Sequence, residues 1–186
     1  DTVFVMGAAG GVGSSAIQIA KAVGATVIAA ASNQEKCHFC LQLGADHAIN
    51  YGDNNFRDKL KELTNGKGPD VIYDPVGGEF TEPAFRSIAW RGRYLVVGFA
   101  SGPIHALPLN LPLLKGASLM GVFWGDFAKR EPANNAKMMQ TLIQWYQQKK
   151  IKPPIDCTMP MLELPAAYER MNSRAVMGKL VMVNSL

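Results

Sequence analysis

Long apolar runs are missing: nothing in the 186 residues approaches the ~18 consecutive apolar residues needed to cross a bilayer, so no membrane span is expected. Cysteine is scarce too. Cys37, Cys40 and Cys157 are the only three, too few to staple a secreted mini-domain and in keeping with a reducing compartment. Cys37-x-x-Cys40 lacks the second C-x-x-C or H-x-x-x-H that would complete a tetrahedral zinc site. At helical spacing the pair reads as lining a buried face, with a metal or redox pair as the alternative, and no metal ligand is assigned. The three histidines, His38, His47 and His105, have no triad partners in view, and no residue is assigned a catalytic role. Basic clusters are equally thin. The net charge of +4 comes from scattered Lys and Arg, and the one cluster, Lys149, Lys150 and Lys152, sits at an expected helix end where the dipole favours it, so no nucleic-acid patch is expected. Charged residues make up only 18% against 48% hydrophobic, which excludes disorder and predicts a packed core. A Walker loop, G-x-x-x-x-G-K-[ST], occurs nowhere.

What is present is a glycine turn. Gly7-Ala8-Ala9-Gly10-Gly11-Val12-Gly13 lies between a short apolar run, Val3 to Met6, and a run of helical period. In that helix Val12, Ala16, Ile19, Ala20 and Val23 are expected to share one apolar face. Strand, glycine turn and helix in this order suit a dinucleotide: the chain reverses tightly, a pyrophosphate meets bare backbone, and the helix N-terminus offers free N–H groups. Gly24 stands where such a helix would end. The alternative is a structural turn with no ligand.

The end of the second expected strand, Thr26 to Ala31, bears on which nucleotide. An NAD site commonly places an Asp or Glu there for the ribose hydroxyls, and a methyltransferase would also carry an acid. Here the residues are Ala30-Ala31-Ser32-Asn33, followed within a helical turn by Lys36. A carboxylate would repel a 2′-phosphate, whereas Ser32 and Lys36 would hydrogen-bond and neutralise it, so the pattern leans to NADP. Ser32-Asn33-Gln34-Glu35 also reads as a capping box with Ser32 as N-cap. For Lys36 a solvated helix lysine is the alternative.

Further along, apolar strands are expected at 48–51, 71–73, 94–97 and 118–124, with amphipathic helices between them and a long helix near 133–148. Continuous apolar strands alternating with helices predict an α/β chain with a doubly wound, six-stranded parallel sheet and a ligand crevice at the strand carboxyl ends. The strand 118–124 is the last added and is expected at the sheet edge. It carries no Lys, Pro or bulge to blunt that edge, so a homodimer through 118–124 is expected, with Leu107 to Leu114 folding over the edge as the alternative.

Several segments carry a resemblance: Ala8 to Gly13, Ala20-Lys21-Ala22 with Gly24-Ala25, Lys36, Leu43-Gly44-Ala45-Asp46, Ile49-Asn50-Tyr51, Asp74 to Gly78, and Gly92-Arg93 with Val97-Gly98. Together they resemble the cofactor half of the medium-chain dehydrogenase/reductase superfamily, in its zinc-independent quinone oxidoreductase-like branch. The resemblance implies a Rossmann domain over 1–148. It also implies a C-terminal segment, 149–186, returning to a GroES-like catalytic domain whose N-terminal part is absent from this sequence. The chain opens on Asp1 at a strand, as a piece of something longer would, and a cytoplasmic setting is expected with the mitochondrion as alternative.

Residue by residue, the resemblance implies that Gly10, Gly11, Val12 and Gly13 cradle a pyrophosphate, and that Ser32, Lys36 and Tyr51 meet the 2′-phosphate and adenosine of NADP(H). It implies that Val76, Gly77, Gly98, Phe99, Ala100 and Phe123 line the nicotinamide side. The activity implied is hydride transfer from NADPH to a quinone or enone without metal, with the isolated chain weakly active or inactive. The competing expectation is a non-catalytic NADPH-binding or interaction module, a truncated isoform or an excised domain.

Overall fold

The computed structural model describes residues 1–53 and 55–184. Six strands form one parallel sheet: β1 (Thr2–Val5), β2 (Thr26–Ala31), β3 (His47–Asn50), β4 (Val71–Asp74), β5 (Arg93–Val96) and β6 (Ser118–Gly121). Their order is β3-β2-β1-β4-β5-β6. The chain winds outward one way from β1, then crosses back to β4 and winds the other way. That reversal between β1 and β4 leaves a crevice at their carboxyl ends.

Alternating side chains along each strand build two cores. Phe4 pairs with Ile28 and with Ile72, and Ile72 pairs with Tyr94, so one row of buried side chains runs across one face of the sheet. Helices α3 (Phe56–Leu63) and α4 (Thr81–Arg86) cover this face through Phe56, Leu60, Ala84 and Phe85. The next residues along, Val5, Val27 and Ala29, pack on the other face against α1 (Gly13–Ala22) and α2 (Gln34–Gln42). Cys37 and Cys40 are both buried in this second core. Burial pushes both thiols up, Cys40 to about 12, so they pack as small hydrophobes.

The buried face of α1 differs from the one its periodicity suggests. Gly13, Ser14, Ile17, Gln18 and Ala20 face inward, while Val12, Ile19 and Val23 are exposed. The reason lies at Gly13, where a Cβ would fall 2.4 Å from the Gly7 carbonyl oxygen. Contact at that point rotates the helix so that its smallest residues meet the turn.

Strand β6 takes the sheet edge, beside β5 alone. It is shorter than the apolar run from which it was read, because the chain turns at Phe123 into α6 (Trp124–Arg130). The segment before it forms α5 (Asn110–Lys115), and the long helix α7 spans Pro132–Gln147. A second, two-stranded parallel sheet follows, β7 (Ile155–Pro160) with β8 (Lys179–Val183), joined by α8 (Leu164–Asn172). The two sheets touch at a single parallel bridge, Gly10 with Gly178.

Candidate functional site

The glycine turn joins β1 to α1 and is closed by its own backbone, Gly10 N–H donating to the Gly7 carbonyl at 3.1 Å and Ser14 N–H to that of Gly10 at 2.8 Å. Among the described residues, no backbone carbonyl accepts from the N–H groups of Gly11 and Val12. Free donors at a helix N-terminus, with the positive end of the dipole behind them, suit an anion.

Next to the turn lies the end of β2. Asn33, rather than Ser32, caps α2: its backbone is extended and its side chain accepts from Lys36 N–H at 2.8 Å. Moving the cap one residue along leaves the Ser32 hydroxyl unused by the helix and exposed at the cleft. Tyr51 follows β3, its ring 4.9 Å from that of Phe80. Burial pushes its hydroxyl up, so it stays a neutral donor at physiological pH.

The opposite wall comes from the far end of the chain. The end of α8 (Asn172), the loop after it (Arg174 and Gly178) and the start of β8 (Lys179) line the same cleft, whose volume is about 1080 Å³. Three contacts hold it there. Gly178 N–H donates to the Ala9 carbonyl at 2.8 Å, the Lys36 ammonium donates to the Arg174 carbonyl at 2.5 Å, and Gln18 exchanges two bonds with the backbone of Lys152. Lys36, Arg174 and Lys179 face one acid, Glu79, around this wall, which makes the cleft basic.

At the ends of β4 and β5 a buried polar pair organises the third side. Asp74 is 3% exposed, and one of its carboxylate oxygens accepts from both Val76 N–H and Gly77 N–H at 2.8 Å. The other accepts from the Tyr94 hydroxyl at 2.5 Å. Val76, Ala100 and Ser101 line the cleft beyond it. The Ser101 hydroxyl is buried and has no partner among the described residues.

A family model for zinc-binding dehydrogenases matches residues 11–147. The chain belongs to that family. Within the medium-chain dehydrogenase/reductase superfamily, the chain is similar to quinone oxidoreductase-like protein 2 of Rattus norvegicus. It is 38% identical to that relative over 183 residues, covering 98% of this chain and 52% of the relative. A 2-haloacrylate reductase of a Burkholderia species is 29% identical over 186 residues, with 98% and 55% covered. The crystal structure of Escherichia coli quinone oxidoreductase complexed with NADPH superposes with a TM-score of 0.88 at 28% identity, covering 98% of this chain and 57% of that one. The chain thus spans about half the length of the curated relatives it matches.

The fold brings together most residues singled out from sequence. Gly10, Gly11, Val12, Ser32, Lys36, Tyr51, Val76 and Ala100 all line the cleft. Gly13 lies beneath the turn instead, fully inside the helix contact. Gly77, Gly98 and Phe99 cluster beside the cleft, with the Phe99 ring over Gly77, and do not form its wall. Phe123 lies beyond the end of β6 and is 75% exposed. Arg174 and Lys179 were not foreseen: their segment reads only as a closing strand. The available signal was a pair of basic residues flanking Gly178 just before an apolar run. Among the described residues, no three His, Cys, Asp or Glu side chains converge.

Proposed function

We propose that the cleft binds NADPH and that this chain is the cofactor-binding portion of an oxidoreductase passing hydride to a quinone or activated alkene without metal. The observation that carries the reading is the end of β2, where Ser32 and Lys36 stand without a carboxylate and Arg174 stands opposite. A hydroxyl, an ammonium and a guanidinium at one end of the cleft, with no carboxylate among Ser32, Lys36 and Arg174, favour a 2′-phosphate over bare ribose hydroxyls. The NADPH complex of the Escherichia coli enzyme and the quinone oxidoreductase names of several relatives support it. An acrylate is an activated alkene, so the relative named a 2-haloacrylate reductase supports the second substrate class.

Each part of the cleft has a role in that reading. The backbone of Gly10, Gly11 and Val12 holds the pyrophosphate, with Gly13 packed beneath the turn. Ser32, Lys36, Tyr51 and Arg174 hold the 2′-phosphate and adenosine, and Val76 and Ala100 form the nicotinamide side, backed by Gly77, Gly98 and Phe99 from beside the cleft. The orphaned Ser101 hydroxyl is a group that a bound ligand would satisfy. When bound, NADPH supplies the hydride from C4 of its nicotinamide, and this chain binds the cofactor, orients it and excludes water on one side. Residues 1–148 act as the dinucleotide domain and 149–186 as the segment that returns to a catalytic domain.

Titration calorimetry tests it. NADPH is expected to bind more tightly than NADH, and Lys36→Ala to lose roughly 1.5 to 3 kcal/mol of NADPH affinity, the scale of a hydrogen bond to a charged group. Equal affinities for the two cofactors would overturn the reading. The chain by itself is expected to oxidise NADPH only slowly with quinones, and saturable, rapid turnover would place the substrate site within these residues.

A further inference from the structure

Gln18 is a polar residue on the inward face of α1, with 8% of its surface exposed. Its amide reaches the far end of the chain: Nε2 donates to the Lys152 carbonyl at 3.0 Å, and Lys152 N–H donates to Oε1 at 2.5 Å. Donor and acceptor of one side-chain amide are thus both matched by one backbone residue. Gln18 does not line the cleft, so any effect it has there passes through Lys152. From Lys152 the chain runs into β7 and takes hold of the wall that carries Arg174. The Pro154 carbonyl accepts from Lys179 N–H at 2.9 Å. A Cβ at Gly178, whose φ is +90°, would fall 2.5 Å from that same oxygen, so the two segments lie in contact with no room for a side chain. Further on, the Asp156 carboxylate accepts from Met177 N–H at 3.1 Å and from Arg170 at 2.9 Å. The loop around Arg174 therefore hangs from residues 154–156, and that stretch is fastened to α1 at Gln18.

We propose that Gln18 is a positioning residue, the pin through which α1 fixes the 173–178 loop over the cleft, so that filling the cleft and holding Lys152 are coupled. The coupling rests on the cleft being a dinucleotide site, whereas the pin itself does not. The other two ties lie at the cleft: Gly178 N–H to the Ala9 carbonyl, and the Lys36 ammonium to the Arg174 carbonyl. A 2′-phosphate competes with that carbonyl for the ammonium, which leaves the Gln18 pin to keep Arg174 in place. A cofactor gripped by Arg174 in turn orders its loop, and the loop orders residues 152–156. Linkage makes the effect reciprocal: whatever the pin adds to cofactor affinity, the cofactor adds to the pin.

The test is amide hydrogen exchange on the full chain with and without NADPH, for the unmutated protein, Gln18→Met and Lys152→Ala. In the unmutated chain the Lys152 and Met177 amides should be protected to a similar degree, and saturating NADPH should slow both. Gln18→Met keeps the length of the side chain and removes both bonds. It should cost those two amides roughly tenfold or more in protection, the scale of one to two hydrogen bonds, while the sheet amides of Val5, Val27 and Ile72 hold theirs. The Kd for NADPH should rise roughly threefold or more as the binding-competent loop becomes a fraction of the population. Lys152→Ala keeps both backbone bonds and should match the unmutated chain. Protection lost evenly across the sheet in Gln18→Met would reduce Gln18 to general stability and overturn the proposal, as would unchanged protection at Lys152 and Met177. Should Gln18→Met not fold, the unmutated chain decides: a Lys152 amide that exchanges at the free-peptide rate, or that NADPH leaves unslowed, overturns it equally. If the unmutated chain binds neither cofactor, the dinucleotide reading and the coupling fall together, and exchange in Gln18→Met still decides the pin.

Discussion

Replacing Tyr94 with Phe isolates one oxygen in the best-defined polar contact of the molecule. The Tyr94 ring is fully buried, 5.5 Å from the ring of Phe85, and Phe retains that packing. What disappears is the donor at 2.5 Å from the Asp74 carboxylate. Asp74 is buried and its other oxygen is committed to Val76 and Gly77 N–H, so the abandoned oxygen has no water to turn to. Losing a partner of a buried charged group costs about 1.5 to 3 kcal/mol. For a chain of this size that corresponds to a Tm lower by roughly 3 to 12 °C. Burial, and then Asp74, push the Tyr94 hydroxyl well above its ordinary 10, so its contribution is fully present below pH 10 and falls as pH rises above that. The other oxygen of the Asp74 carboxylate holds the loop after β4, so NADPH affinity should fall with stability in Tyr94→Phe. The assay is urea unfolding at pH 7 followed by calorimetry on the folded variant. A stability loss below about 0.5 kcal/mol, the range of ordinary surface substitutions, would show that Asp74 is satisfied without Tyr94 and refute the reasoning.

Assembly and acid sensitivity give two further expectations. Leu119, Met120 and Val122 on the β6 edge are 49%, 47% and 41% exposed, and Leu113 and Leu114 on α5 are 78% and 68% exposed instead of folding over that edge. A homodimer joining β6 to its copy is therefore expected at micromolar concentration and a monomer for Val122→Lys, by light scattering, with a monomer mass for the unmutated chain refuting it. Asp156 is nearly buried beneath Arg170. Burial raises its pKa, but Arg170 and the Met177 N–H outweigh that and leave it below the ordinary 3.8. Its stabilisation is thus present above that value and lost as pH falls below it. The urea midpoint should drop between pH 5 and pH 3, and drop less in Asp156→Asn, whereas identical pH profiles would refute the assignment.

Period, turn chemistry and a missing acid were enough to determine a six-stranded parallel sheet, its edge strand, and the position of the glycine turn between β1 and α1. These properties are local: continuous apolar runs specify buried strands, Gly10 to Gly13 specify a tight reversal, and Ser32 with Lys36 specifies the charge at the end of β2. The tertiary structure alone decided three other things. It rotated α1, because the Gly13 contact with the turn outweighs the apolar stripe of Val12, Ile19 and Val23. It moved the α2 cap to Asn33, because the chain leaves β2 extended for one residue more. And it carried Arg174 to Lys36 at the end of β2 and Lys179 to the glycine turn, each more than a hundred residues away along the chain. Nothing in their own neighbourhood encodes that meeting, since a bridge between Gly10 and Gly178 exists only once both sheets have formed, and spatial proximity across such a sequence distance has no local period to be read.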